Sequence, residues 1–363
     1  MSPTWLRVAG GLIVFALIAV IGLAALGDLT FDEALDTFTL VMVVAIPAGV
    51  ATYALIEFAQ TRRIDSITRQ FDTRTLVLMP VAMALNIVLG TAVASALKIP
   101  IYLDSVGTIL VAALAGPLAG AATGFLTNVI WTYLAPPPFG SPFAVPFAVV
   151  AVVVGLLAGT FARWGWLRPR RGTSGERLAV GGALSVGAVI VMVVLALRAW
   201  LAAADGSDLA PASDETAFVI LGWIAVALVI GTAVGLLVLL VRWRDLAAAY
   251  ILAAGVITGV VAAFIAAPIA AGLFGGVTGS GADFVIAAFR QAGADLQQAV
   301  LGQSLISDPV DKVITYFVVY LILGAMATRT KARFPQGEYL LPLADDEDDA
   351  DDAHHDHDDR STA

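Results

Sequence analysis

Residues 85–131 read LNIVLGTAVASALKIPIYLDSVGTILVAALAGPLAGAATGFLTNVIW. The stretch is apolar almost throughout, and its main interruptions are Lys98 with Pro100, Asp104, and Gly116 with Pro117. A backbone amide in hydrocarbon finds no water to bond, so long apolar runs there must be helical. The interruptions divide the stretch into the end of one helix (76–97), a short helix (103–116) and a third (118–134), the last two joined in a tight hairpin. Asn128 falls well inside the third. A strongly polar group within a span is costly, so it is a functional candidate by default.

The same texture fills the rest of the chain. Of 363 residues, 59% are hydrophobic and 13% charged, and mean hydropathy is +0.89. Soluble domains carry about a quarter charged residues. Apolar runs, many of the length that crosses a bilayer, fall at 8–27, 38–58, 76–97, 103–116, 118–134, 143–162, 178–203, 217–241, 248–273 and 310–328. The expected fold is therefore an all-α integral membrane protein with about ten transmembrane helices. A strand barrel would show short alternating segments instead. The first run is long for a signal-peptide core and lacks a small-residue cleavage site, so it is expected to be retained.

Basic residues set the expected orientation. Arg7, the connectors at 59–75 and 163–177, Arg242 with Arg244, and Arg329, Lys331 and Arg333 all fall on one side of a ten-span chain. Lys98, Arg198, Arg290 and Lys312 fall on the other, a split of fifteen against four. The positive-inside rule then places both termini in the cytoplasm. Net charge is −9, but the tail from Ala344 to Ala363 holds ten acidic residues and one Arg, leaving 19 of each sign elsewhere. That tail is expected to be disordered. Its His354–Asp359 run has metal-ligand side chains but nothing to fix their geometry, so a solvated tail is the simpler reading. No basic patch suggests nucleic acid. The absence of cysteine excludes disulfides and cysteine nucleophiles. No phosphate-binding loop or hydrolase motif is present, so an enzyme is not expected, no cofactor is implied, and any ATP-driven step needs another chain.

Scarce polar and aromatic residues gather near the outer ends of spans three to six and ten: Lys98, Tyr102, Asp104, Asn128, Trp131, Tyr133, Asp308, Asp311 and Lys312. Tyr102, Asp104, Asn128, Trp131, Asp308, Asp311 and Lys312 are the candidate substrate-binding set. Each also has a plainer reading. Asp308–Pro309 suits a helix start, with Asp311 favoured in its first turn and Lys312 four residues after Asp308. Asp104 can pair with Lys98. Asn128 can join helices, the aromatics can form an interfacial belt, and Glu57 can pair with Arg62. The segment 280–306 repeats apolar residues at helical spacing and is expected to lie on the outer surface or act as a lid. Ala82, Ala84, Ala92 and Ala96 place small residues along span three, for packing or for a partner helix.

The stretches IPIYLDSVGTIL (99–110), GPLAGAATGFLTN (116–128) and DPVDKVITYFVVYLIL (308–323) resemble the substrate-specific (S) components of energy-coupling factor (ECF) transporters. The resemblance covers about half of the chain. It implies a six-helix core made of 76–97, 103–116, 118–134, 143–162, 248–273 and 310–328. Residues 1–75 would add two spans and a basic connector, 163–247 an inserted hairpin, and 329–363 the tail. It implies a vitamin-like small molecule captured at the outer face of a bacterial cytoplasmic membrane. It also implies a membrane coupling (T) subunit and cytoplasmic ATPase subunits as partners, met through the small-residue face of span three. A membrane ligand sensor or scaffold on the same fold, and an ion-coupled secondary transporter, are the alternatives. Against the latter, no acidic residue is expected near the middle of a span, and no inverted repeat is evident.

Overall fold

The computed structural model describes residues 4–24, 31–96, 101–170, 215–291 and 293–342, with isolated positions 183, 187, 190 and 194. Outside the described residues lie the rest of the expected span 178–203, the acidic loop that follows it, Lys98 with its pairing to Asp104, Arg198, and the acidic tail.

Every regular element among the described residues is helical. In chain order they are α1 (Thr4–Leu23), α2 (Phe31–Thr61), α3 (Thr73–Gly90), α4 (Val106–Ala115), α5 (Pro117–Tyr133), α6 (Ala148–Arg163), α7 (Glu215–Arg242), α8 (Ala247–Phe274), α9 (Ala282–Gln291) and α10 (Leu296–Ala325). A π-helical turn, Thr91–Ala96, extends α3. Four stretches are long and apolar enough to cross a membrane: Asp36–Thr61, Thr73–Val93, Val145–Arg163 and Ala247–Phe274. Leu6–Gly22, Val106–Ala115 and Val229–Arg242 are shorter apolar helices. The chain is thus a multi-pass helical membrane protein, with helices wherever a span was expected among the described residues.

All ten residues of α4 are buried, so this short helix is the axis of the bundle, with α3, α5, α6 and α10 around it. Ten residues reach about 15 Å, half of a hydrocarbon core. A helix so short fits only where protein shields both its ends. One end is the expected hairpin turn: Gly116 takes φ +128, a conformation that side-chain-bearing residues avoid. Beside it the Leu118 N–H at the start of α5 donates to Gln70 Oε1 at 2.8 Å.

The basic connectors meet at this same end. Gln336 N donates to Leu114 O at 2.8 Å, and Arg163 Nε donates to Gln336 Oε1 at 2.9 Å. Arg74 donates to Arg333 O. The Arg170 N–H donates to the buried Asp245, whose other oxygen accepts from Tyr320. Glu57 was expected beside Arg62. It pairs instead with Arg7 at 3.1 Å and accepts from Ser66, because α1 returns along α2 and brings its start to the end of α2.

Ala82 is buried at the α3–α4 crossing, where Gly107 leaves no room for a side chain against the Ala82 carbonyl. Asn86, one turn on, bonds Thr108 Oγ1 at 2.9 Å and Thr127 Oγ1 at 3.3 Å and accepts from Gly107 N at 2.7 Å. Gly107→Val should therefore force α3 from α4 and cost about 1–3 kcal/mol or more, read as a lower melting temperature in detergent. Ala84→Leu, on the exposed side of α3, should change stability by no more than about 0.5 kcal/mol.

Candidate ligand-binding site

The site grows from α10. This helix starts at Asp295, whose carboxylate accepts from Gln298 N at 2.8 Å while the Gln298 side chain accepts from Asp295 N. That reciprocal cap fixes the first turn. The expected start at Asp308–Pro309 is thereby corrected: the helix runs through Pro309 without ending. Proline removes one backbone donor, and a membrane helix tolerates this where neighbouring helices close in. Here Gly259 of α8 lies directly against the backbone of Asp308 and Pro309. The consequence is that Asp308 and Asp311 lie about midway along a 30-residue helix.

Asp311 is fully buried. Its Oδ1 accepts from the backbone N–H of Leu103 at 2.7 Å and of Tyr102 at 3.0 Å. Leu103 holds φ +52, a conformation that costs a residue other than glycine of order 1–3 kcal/mol and persists where its surroundings hold it. Oδ2 of Asp311 meets Lys312 Nζ at 2.5 Å. Lys312 also donates to Ser105 Oγ at 2.7 Å and lies 3.6 Å from Asp104 Oδ1. The Lys312–Asp308 pairing expected from spacing is not made. The Lys312 side chain instead reaches the segment before α4, hydrogen-bonding Ser105 there and Asp311 on its own helix, with Asp104 as a further counter-charge.

These groups border a cavity of about 140 Å³. A cavity of about 150 Å³ holds a benzene-sized guest. Tyr102, Asp104 and Ser105 enter it from the segment before α4, Asn128 and Trp131 from α5, and Gln303, Ser304, Asp308 and Lys312 from α10. Phe143 and Phe147 contribute from the connector before α6, and Ala262, Ala266 and Ala270 from one face of α8. Six of the seven candidate residues line one space. The seventh, Asp311, stands behind it and holds its floor.

The plainer readings resolve as follows. Asn128 is buried and bonds the carbonyl of Gly124 in its own helix at 3.0 Å, so it does not tie two helices. That role belongs to Asn86. Trp131 is buried, and its Nε1 donates to Phe139 O at 2.7 Å, pinning the proline-rich connector. Tyr133 is exposed and lies outside the cavity. The amphipathic segment is two things: α9, whose Ile286 forms part of the cavity wall, and the first turns of α10. Ala84 and Ala92 are exposed on α3, Ala82 faces inward, and Ala96 lies in the π-helical turn.

Sequence reading missed Gln303, Ser304, Ser105 and Ser280. Gln303 is buried, and its Nε2 has no hydrogen-bond partner. Its position in an amphipathic repeat suggested a surface helix, yet a glutamine on the apolar stripe was the available signal. No protein-family model matches the chain, nor does any curated protein or solved structure.

Asp311→Ala should cost about 3–5 kcal/mol, the range for breaking a buried ion pair. Hydrogen exchange should show it locally, as lost protection of the Tyr102 and Leu103 amides.

Proposed function

We propose that this protein is the substrate-capturing membrane component of an ECF-type importer, taking up a vitamin-like small solute with the help of partner ATPases. One observation carries the reading: six scarce polar and aromatic side chains, distant in sequence, converge on one cavity in an otherwise apolar bundle, with Asp311 fixed behind them. Charges in a membrane helix are expensive and mark binding or transport paths. The arginine-rich end faces the cytoplasm in this reading, by the positive-inside rule. The cavity then lies toward the outer face of a bacterial cytoplasmic membrane, beneath the connector 135–147 and α9. The outward-facing Ala84 and Ala92 of α3 offer a low-relief surface for a coupling subunit. The likeness of residues 99–128 and 308–323 to S components supports this assignment.

A second reading has one observation in its favour. Asp308 and Asp311 sit mid-helix beside Pro309, as coupling carboxylates do in ion-driven transporters. Uptake that survives loss of the partner ATPase but stops with a protonophore favours that reading. Uptake lost with the ATPase favours the importer. Co-purification from native membranes should recover a coupling subunit and ATPases. Asp104→Ala and Asn128→Leu should each weaken solute binding about tenfold or more (1.4 kcal/mol per tenfold) without loss of folded protein. Unchanged affinity in both would move the binding site elsewhere.

A further inference from the structure

The cavity's charges do not balance, and the imbalance describes its guest. Three carboxylates, Asp104, Asp308 and Asp311, meet one ammonium, Lys312, around this space. Lys312 donates to Asp311 and Ser105 and pairs with Asp104 at 3.6 Å. Asp308, one turn earlier on α10, is buried; among the described residues it forms no hydrogen bond and no ion pair within 4 Å, and the positive charge that acts on it is the same Lys312, already held by Asp311. Lys312 is the basic residue among those that line the cavity. A buried carboxylate without a close partner is costly as an anion; a proton relieves that cost, and so does a bound cation, which the cavity has room for.

A second, independent feature borders the same space. Gln303 lies five residues before Asp308 on α10, is 3% exposed, and leaves Nε2 without an acceptor. A buried donor without a partner costs about 1–3 kcal/mol. It calls for an acceptor that the protein does not supply. The remaining walls are the rings of Trp131, Phe143 and Phe147 and the alanine face of α8, which suit a flat apolar body and offer a cation the faces of rings.

Resting on the capture reading above, we propose that the guest is a small, flat organic cation that also carries a hydrogen-bond acceptor. Its positive group docks at Asp308 with Asp104 beside it, its acceptor takes the Gln303 amide N–H, and its ring lies between Trp131 and the phenylalanines. Asp311 and Lys312 shape the floor.

The test uses the full chain in nanodiscs and three matched probes: 3-(aminomethyl)benzamide (a cation), 3-ethylbenzamide (neutral) and 3-(carboxymethyl)benzamide (an anion). Each is titrated to millimolar concentration by calorimetry. The cation should bind about tenfold or more tighter than the neutral probe, and the anion weakest. Asp308→Asn, close to isosteric, should reduce the cation's advantage to under about twofold with the melting temperature kept. Gln303→Leu should weaken all three probes alike, since each carries the amide, and leave charge preference intact. Binding that ignores charge, or that prefers the anion, overturns the cation assignment while leaving capture standing. Failure of all three probes, with no small molecule released from the purified protein, overturns both.

Discussion

The ion pair of Asp311 and Lys312 is the constraint on which the cavity depends. Taking two charges out of water is costly, and their attraction offsets this only when the remaining donors and acceptors are also met. Here they are. Asp311 accepts two backbone N–H groups and the lysine, and Lys312 finds Asp311, Ser105 and Asp104. The result fastens mid-α10 to the segment before α4. It also explains the positive φ at Leu103: the carboxylate holds Tyr102 and Leu103 with both amides turned toward it. That anchor, together with the buried Ile101 and Leu103, sets where Tyr102 and Asp104 meet the cavity.

The space itself comes from absent side-chain bulk. Ala262, Ala266 and Ala270 stand four apart on α8 and so share one face. Farther along the same helix Gly255 and Gly259 let α10 approach closely, against Val313 and Pro309. Close contact at one level and small side chains at the next give two helices that touch at the arginine-rich half and part beyond it. A cavity results without any bend being required. Its polar groups then come from α10 and its apolar walls from α8 and α6, the division expected of a site that recognises a small molecule by a few placed polar atoms in an apolar cleft.

Much of this was legible because polar residues are rare in an apolar chain. Asp104, Asn128 and the Asp308–Lys312 group stood out, and one turn at Gly116–Pro117 fixed the hairpin. What misled was local grammar. Asp308–Pro309 has the form of a helix start, but the capping box at Asp295 and the apolar positions Ala299 and Val300 carry the helix backward by more than three turns. A rule about one turn lost to packing along the whole element. Asp245, directly after Arg244, carries no mark in the sequence that sets it apart from connector charge, and only tertiary structure shows it buried with Tyr320. Asn86 and Gln303 are single polar residues in apolar runs, and their partners, or lack of them, are long-range facts.

The first two helices are built into the site's wall. Phe38, Met42 and Ile46 of α2 form one apolar cluster with Ile269 and Phe274 of α8, against which Phe143 and Phe147 pack. Phe143 meets Phe274 edge-on at 5.3 Å, and Phe147 stacks on it at 5.8 Å. Phe143 and Phe147 also face the cavity. A shift of α2 therefore reaches the guest through two rings. Such aromatic pairs are worth about 0.5–1.5 kcal/mol each beyond their buried area, enough to seat the connector and too little to lock it. For the proposed capture of a solute, the wall beside the cavity has to yield when the guest enters. A connector held by Trp131 at one end and by aromatic contacts at the other meets that requirement better than a continuous helix, whose backbone bonds would all have to move together.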